Sequence, residues 1–228
     1  ALVASSCSVL IQRQGGNTFT AILLSLGIGL AFGLVQGYLV AYLDIQPFIV
    51  SLAGMFFARG MTTIVGGDNP TFNIDPSEFA AGSADQARVQ AFMDFKDFKI
   101  VLPGLGYTNA NGAYIDAKIM PGVIIAIILV IILFGVMGYN KFGRHVYAVG
   151  GNKQSAMMLG INVKKTKFMA HVICGVLAGV AGFLFLLNTG GASPAAATGM
   201  EMNAIASSIM GGTMLTGGVG NMFGTLLG

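Results

Sequence analysis

Long apolar runs and short polar breaks alternate along this chain, on the length scale of a lipid bilayer. Thr18–Leu43 is 26 residues without a charge, long enough to cross a hydrocarbon core with some tilt. Asp44 and Pro47 break the pattern, and Pro47–Val65 forms a second run interrupted by Arg59. Ile119–Gly138 is the third run, and Phe168–Leu187 is the fourth. Residues 1–12 read as the tail of a spanning helix that begins further upstream, so the chain reads as an internal piece of a longer protein. Ala204–Gly228 is apolar but dense in glycine, which predicts a broken or re-entrant segment rather than a simple span.

Charge orients these runs. Residues 139–167 carry six basic side chains and no acidic one. A basic connection between two spanning helices is retained on the cytoplasmic side. The reading then places 139–167 and 44–46 inside, and 66–118 and 188–203 outside. Segment 66–118 holds seven acidic and four basic residues. It is too long for an ordinary connection and predicts a small extracytoplasmic insertion. There Asp75-Pro76-Ser77 starts a short helix, and Val89, Phe92, Met93 and Lys96 share one face of the stretch that follows. Pro103-Gly104 and Asn109–Gly112 read as turns.

Composition narrows the class. The chain is 54% hydrophobic and 9% charged, against roughly 25% charged in a soluble domain. Such a chain cannot cover a globular surface with polar groups, so the fold class is all-α, a polytopic transmembrane helical bundle forming one transmembrane domain over 1–228. The basic residues serve one membrane-flanking loop and form no extended stripe, which excludes a nucleic-acid partner. The two cysteines, Cys7 and Cys174, lie in apolar segments and outline no disulfide framework. No signal peptide is visible.

Glycines recur at four-residue spacing in three sets: Gly29, Gly33 and Gly37; Gly175 and Gly179; Gly220, Gly224 and Gly228. Each set predicts a flat helix face for close packing. Arg59 and Glu201 are the charges that loops explain least, and both read as interfacial, with their heads snorkelling to the outer membrane surface. His145 falls in the basic loop, and His171 at the inner end of the fourth run.

Within the basic loop, Gly150-Gly151-Asn152 reads as a turn, with Asn152 capping a short helix over 153–159. That helix shows Ala156, Met157 and Leu159, an apolar face suited to a cytosolic partner. The bland alternative is a loop held only by lipid headgroups. No Gly-x4-Gly-Lys-Ser/Thr loop, Gly-x-Gly-x-x-Gly fingerprint, His-Glu-x-x-His or Gly-x-Ser-x-Gly motif occurs. The chain is therefore read as no enzyme, with no metal and no cofactor of its own. Carboxylates within the spans are too few for an ion or proton relay, which weighs against a secondary transporter or channel. Broken glycine-rich segments weigh against a non-transporting scaffold.

Three blocks together resemble the permease subunits of bacterial ABC sugar importers of the ribose/galactose type. They are Ile45-Gln-Pro-Phe-Ile-Val-Ser-Leu-Ala-Gly-Met-Phe-Phe-Ala-Arg-Gly60, then Phe142–Asn152 continuing to Gly160-Ile161, then Glu201–Ala206 with Gly211-Gly212-Thr213 and Gly217-Gly218-Val-Gly220. Leu52–Gly60 looks most like the galactofuranose-type permeases. Gln46 and Asn203 depart from the usual pattern. The resemblance implies a multi-pass protein of the bacterial inner membrane that imports a monosaccharide. It also implies a second permease subunit, cytosolic ATP-binding subunits that hydrolyse ATP, and a periplasmic sugar-binding protein.

Two site readings follow. Irregular backbone at Pro47-Phe48 and at Gly211-Gly212-Thr213 marks a substrate route, with Asn203 and Thr213 as hydrogen-bonding groups and Phe48 covering an apolar sugar face. The inner loop marks the ATPase-coupling surface: Gly143, Gly150 and Gly151 as turn points, Arg144 as a pairing charge, and Asn152, Ala156, Leu159 and Gly160 around the short helix.

Overall fold

A computed structural model describes the chain at every position except 68–71, 79–82, 99, 109–113, 194 and 196. The order is α1 (Leu2–Gln12), α2 (Thr18–Ala41), α3 (Pro47–Gly66), β1 (Phe72–Asn73), a single 3-10 turn (Pro76–Glu78) and α4 (Ala84–Asp97). There follow β2 (Ile100–Thr108), β3 (Tyr114–Ile119), α5 (Pro121–Tyr139), α6 (Lys141–Gly151), α7 (Lys153–Met158), α8 (Val163–Thr189), β4 (Gly191–Ala192), α9 (Met200–Met210) and α10 (Met222–Leu227). The all-α bundle is present, with two short antiparallel ribbons attached, β1–β4 and β2–β3.

Among the described residues four helices, α2, α3, α5 and α8, are long and apolar enough to cross a membrane. At about 1.5 Å per residue they reach roughly 28–40 Å, against a hydrocarbon core of about 30 Å. Proline opens α3 and α5, where its missing N–H costs nothing. Helix α8 starts before its apolar run, because the Asn162 side chain accepts from the Lys165 N–H at 3.0 Å and caps the lysine-rich first turn. Helix α5 buries none of its most apolar window; that is stable only where lipid or another protein covers it.

The centre of the bundle is the antiparallel pair α2–α8, and here the first two glycine sets mate. Gly29 faces Gly175 and Gly179, Gly33 faces Val172 and the His171 carbonyl, and Gly37 faces Phe168. Without Cβ atoms the two backbones touch, as small residues allow in membranes.

Pairings sort the connections to two ends. At one end Lys153 of α7 meets Asp44 at 3.5 Å. At the other, Phe72 pairs with Ala192 and Asn73 with Gly191, joining segment 66–118 to segment 188–203. The Arg88 guanidinium of α4 donates to the Gly15 carbonyl at that same end. The grouping agrees with the segments that the charge pattern assigned to common sides.

The α4 part of the insertion packs on the bundle. Ile74, Val89 and Phe92 are buried in one cluster with Ala4, Cys7, Ile11, Ala21, Phe183, Leu186 and Leu187, so α4 seats its apolar face on α1, α2 and α8. Ser83 caps α4 by accepting from the Gln86 N–H. The Ser77 N–H donates to Asp75 at 2.8 Å and holds that carboxyl below the usual carboxylate range. Pro103-Gly104 does not form a turn: it lies within β2, whose pairing with β3 shifts register between Leu102 and Gly106. A bulge absorbs a proline and a glycine there that read as a chain reversal in sequence. The turn read at 109–112 lies outside the described residues.

Candidate functional site

At the Asp44 end the basic segment is two helices and not an open loop. Phe142, Val146 and Val149 recur at helical spacing, while Lys141, Arg144 and His145 stay exposed. The result is an amphipathic helix, α6, which runs through Gly150 and Gly151 instead of turning at them. Gly143 and Gly150 serve close approach. A Cβ on Gly143 would collide with the Met137 carbonyl, and one on Gly150 would lie 2.6 Å from the Gly218 N. The turn comes at Asn152, whose side chain accepts from the N–H groups of Gln154 and Ser155, both at 2.9 Å. That is the cap the sequence predicts for α7. Gly160 closes the connection with a φ of 76°.

One residue of this surface points the other way from its reading. Ala156 is 1% exposed and packs into the chain, so it cannot fill a partner's apolar floor. The exposed apolar residues are Met157, Met158 at 90% and Leu159 at 77%, flanked by the exposed Lys153, Lys164 and Lys165. Met158 lies one residue outside the apolar face that the sequence predicts for this helix.

The residues read as a substrate route fall into two places. Pro47 is the first residue of α3, and Phe48 is exposed beside it. The irregular backbone there lies at the Asp44 end of the bundle, not at membrane depth, because proline starts the helix instead of breaking it. Asn203 lies exposed on α9. Gly211, Gly212 and Thr213 end α9, and Thr213 meets the Thr225 hydroxyl of α10 at 3.4 Å. Helix α9 is about 16 Å long by its rise, half a bilayer core. The chain then turns through 211–221, and α10 folds back on α9. Gly224 lies against Gly211, where a side chain on either would strike backbone of the other. This is the broken geometry that the glycine content predicts.

Arg59 and Glu201 do not stand apart as two snorkelling charges. They form an ion pair at 3.2 Å, half-exposed, tying α3 to the start of α9. Across a separation of 142 residues no sequence signal joins them. Gln36, an amide inside an apolar run with no sequence signal of its partner, packs against Gly54 of α3. Gln36 and His171 line a cavity of about 270 Å³ between α1, α2, α3 and α8. His171 Nδ1 bonds the Lys167 carbonyl at 2.9 Å. A larger cavity of about 580 Å³ between α5 and α8 is lined by Lys96, Asn188 and apolar groups. Among the described residues no cluster of His, Cys, Asp and Glu has the geometry to hold a metal.

Comparison with known proteins places this architecture. Residues 1–228 match the family described as branched-chain amino acid transport system / permease component. The chain is 31% identical to the fructose import permease protein FruG of Bifidobacterium longum, over 96% of this chain and 58% of that protein. It is 32% identical to the ribose import permease protein RbsC of Escherichia coli, over 93% and 58%. It is 30% identical to the xylose transport system permease protein XylH of Escherichia coli, over 99% and 65%. The chain thus spans less than two thirds of the length of each of these relatives. No solved structure matches it. With its whole length matched and four bilayer-length helices in place, the chain belongs to this family of transport-system permease components and is a multi-pass membrane protein.

Proposed function

We propose that the chain belongs to a permease subunit of an ATP-driven importer that carries a monosaccharide across the bacterial inner membrane. The observation that carries this reading is the set of relatives: their names assign them fructose import, ribose import and xylose transport. Another relative, at 34% identity, is named an inner membrane ABC transporter permease. No phosphate loop is present, so ATP hydrolysis belongs to a separate cytosolic ATP-binding subunit. The remaining partners are a second permease subunit, membrane lipid and a periplasmic sugar-binding protein. The apolar exposed lengths of α5 and α3 supply surface for the first two.

On this reading the Asp44 end faces the cytoplasm, where the basic excess of 139–167 holds it. The ATPase seats on α7 through Met157, Met158 and Leu159. Arg144 and the lysines around them draw in acidic groups. Asn152 and Gly160 set the angle of α7 by ending its two sides. The α9–α10 hairpin, with Asn203, Gly211, Gly212 and Thr213, borders the sugar route, and Phe48 marks its inner exit.

The test is co-purification of the ATPase with tagged full-length permease. Met158→Asp places a charge on an exposed apolar anchor; truncating such anchors costs about 2 kcal/mol or more. The ATPase should be lost while permease abundance is unchanged. Full retention in both Met158→Asp and Leu159→Asp would remove α7 as the coupling surface.

A further inference from the structure

The proposed function leaves unused one contact between the two glycine-rich segments. The tip of the α9–α10 hairpin rests on the C-terminal half of α6. The Tyr147 hydroxyl donates to the Gly220 carbonyl at 3.0 Å, across 73 residues. Beside it the backbones touch: a Cβ on Gly217 would lie 2.7 Å from the Gly150 carbonyl, and one on Gly218 2.7 Å from the Gly151 Cα. Gly217 and Gly218 hold φ of 95° and 81°, a left-handed pair that side chains resist. The loop is closed on itself by Gly217 N–H to the Met214 carbonyl and Met214 N–H to the Val219 carbonyl, both at 3.0 Å. It therefore meets α6 as a preformed turn. Behind it Phe223 of α10 packs on Phe134 of α5 with ring centroids 4.6 Å apart.

From this geometry we infer that Tyr147, with Gly150 and Gly151, positions the 211–221 turn, so that displacement of α6–α7 is passed to the α9–α10 hairpin. Tyr147 is a positioning residue: it touches the turn and not the transported solute. The physical reason is the absence of slack. Four glycine backbones in contact and one hydrogen bond leave no side chain to absorb a movement of α6 before the turn must follow. The far end of α9 is held independently by the Arg59–Glu201 pair, so a push at the turn becomes a tilt or slide of the hairpin. The transmission half of this inference rests on the proposed function, with the ATPase acting on α6–α7. The positioning half does not.

The experiment has two arms on the full-length protein. In the first, hydrogen–deuterium exchange is followed in nanodiscs without partners. Tyr147→Phe removes only the hydroxyl, and exchange across 211–221 should quicken several-fold, up to about tenfold for a lost hydrogen bond. Exchange in α2 and α8 should not change. In the second, liposomes carrying the ATPase report solute uptake and ATP hydrolysis together. Tyr147→Phe and Tyr147→Leu should each keep the ATPase bound and hydrolysing, with several-fold less solute moved per ATP. Gly135→Ala, where a Cβ meets nothing within 4 Å, should match wild type in both arms. A merely structural contact would lower thermal stability or abundance and leave uptake per ATP intact. Unchanged exchange in 211–221, or unchanged uptake per ATP in both variants, overturns the inference. If the wild-type permease binds no ATPase, the proposed function fails while the exchange arm still decides the positioning role.

Discussion

Gly175→Ala adds one methyl group at the place where α2 and α8 are closest. Its Cβ would lie 2.5 Å from the Gly29 carbonyl oxygen, 2.6 Å from the Gly33 Cα and 2.7 Å from the Gly33 N. All three are backbone atoms, so no side chain can swing aside. Restoring ordinary contact requires the helices to part by about 0.9 Å, and a gap of that size forfeits a quarter to a half of each neighbouring dispersion well. Overpacking of this kind costs about 1–3 kcal/mol. Alanine returns up to about 1 kcal/mol through helix propensity. Gly135→Ala collects that return with nothing in its way and serves as the reference. The two variants should therefore differ by about 1–3 kcal/mol, with Gly175→Ala the weaker. The assay is equilibrium unfolding of the full-length protein in mixed micelles of rising sodium dodecyl sulfate, followed by circular dichroism. Equal stability of the two variants would refute the claim that this glycine contact organises the bundle.

Other outcomes follow from the same geometry. In a background lacking Cys7 and Cys174, Ala91→Cys should react with an impermeant thiol reagent on intact cells and Ser155→Cys should not; reaction of Ser155→Cys alone would invert the orientation. Phe92→Ala empties the cluster that seats α4 on α1, α2 and α8, and should cost about 3–5 kcal/mol. Limited proteolysis within 66–118 should speed up accordingly, and a resistant variant would show that α4 is not held by this cluster. Arg59→Ala and Glu201→Ala should each lose well under 1 kcal/mol, because the pair is half-exposed and screened. The reversed pair Arg59→Glu with Glu201→Arg should recover most of it in a double-mutant cycle.

How much of this was legible in the sequence depends on the range of the interaction. The four spans are read from apolar length alone, because lipid contact demands it over every turn. Their ends are less legible. Helix α8 begins at Val163, five residues before its apolar run, since Lys164, Lys165 and Lys167 tolerate helix when Asn162 caps it. Helix α6 was hidden by its own glycines: Gly143, Gly150 and Gly151 read as turn points, yet at Gly143 and Gly150 another backbone sits where a side chain would be. The cap at Asn152 is local and was visible. The inward face of Ala156 is set by packing against other helices and was not. Arg59 and Glu201 carry no mark of each other, and Tyr147 carries none of Gly220, because both contacts join segments distant in sequence.

The central claim is that this bundle moves a sugar with energy delivered by an ATPase at its Asp44 end. The direct measurement is uptake of a radiolabelled monosaccharide into liposomes holding the full-length permease, with the ATPase and ATP enclosed and the sugar-binding protein outside. Uptake should require enclosed ATP and be abolished by Met158→Asp. Uptake of equal rate without ATP, or driven by an ion gradient with the ATPase left out, would contradict it.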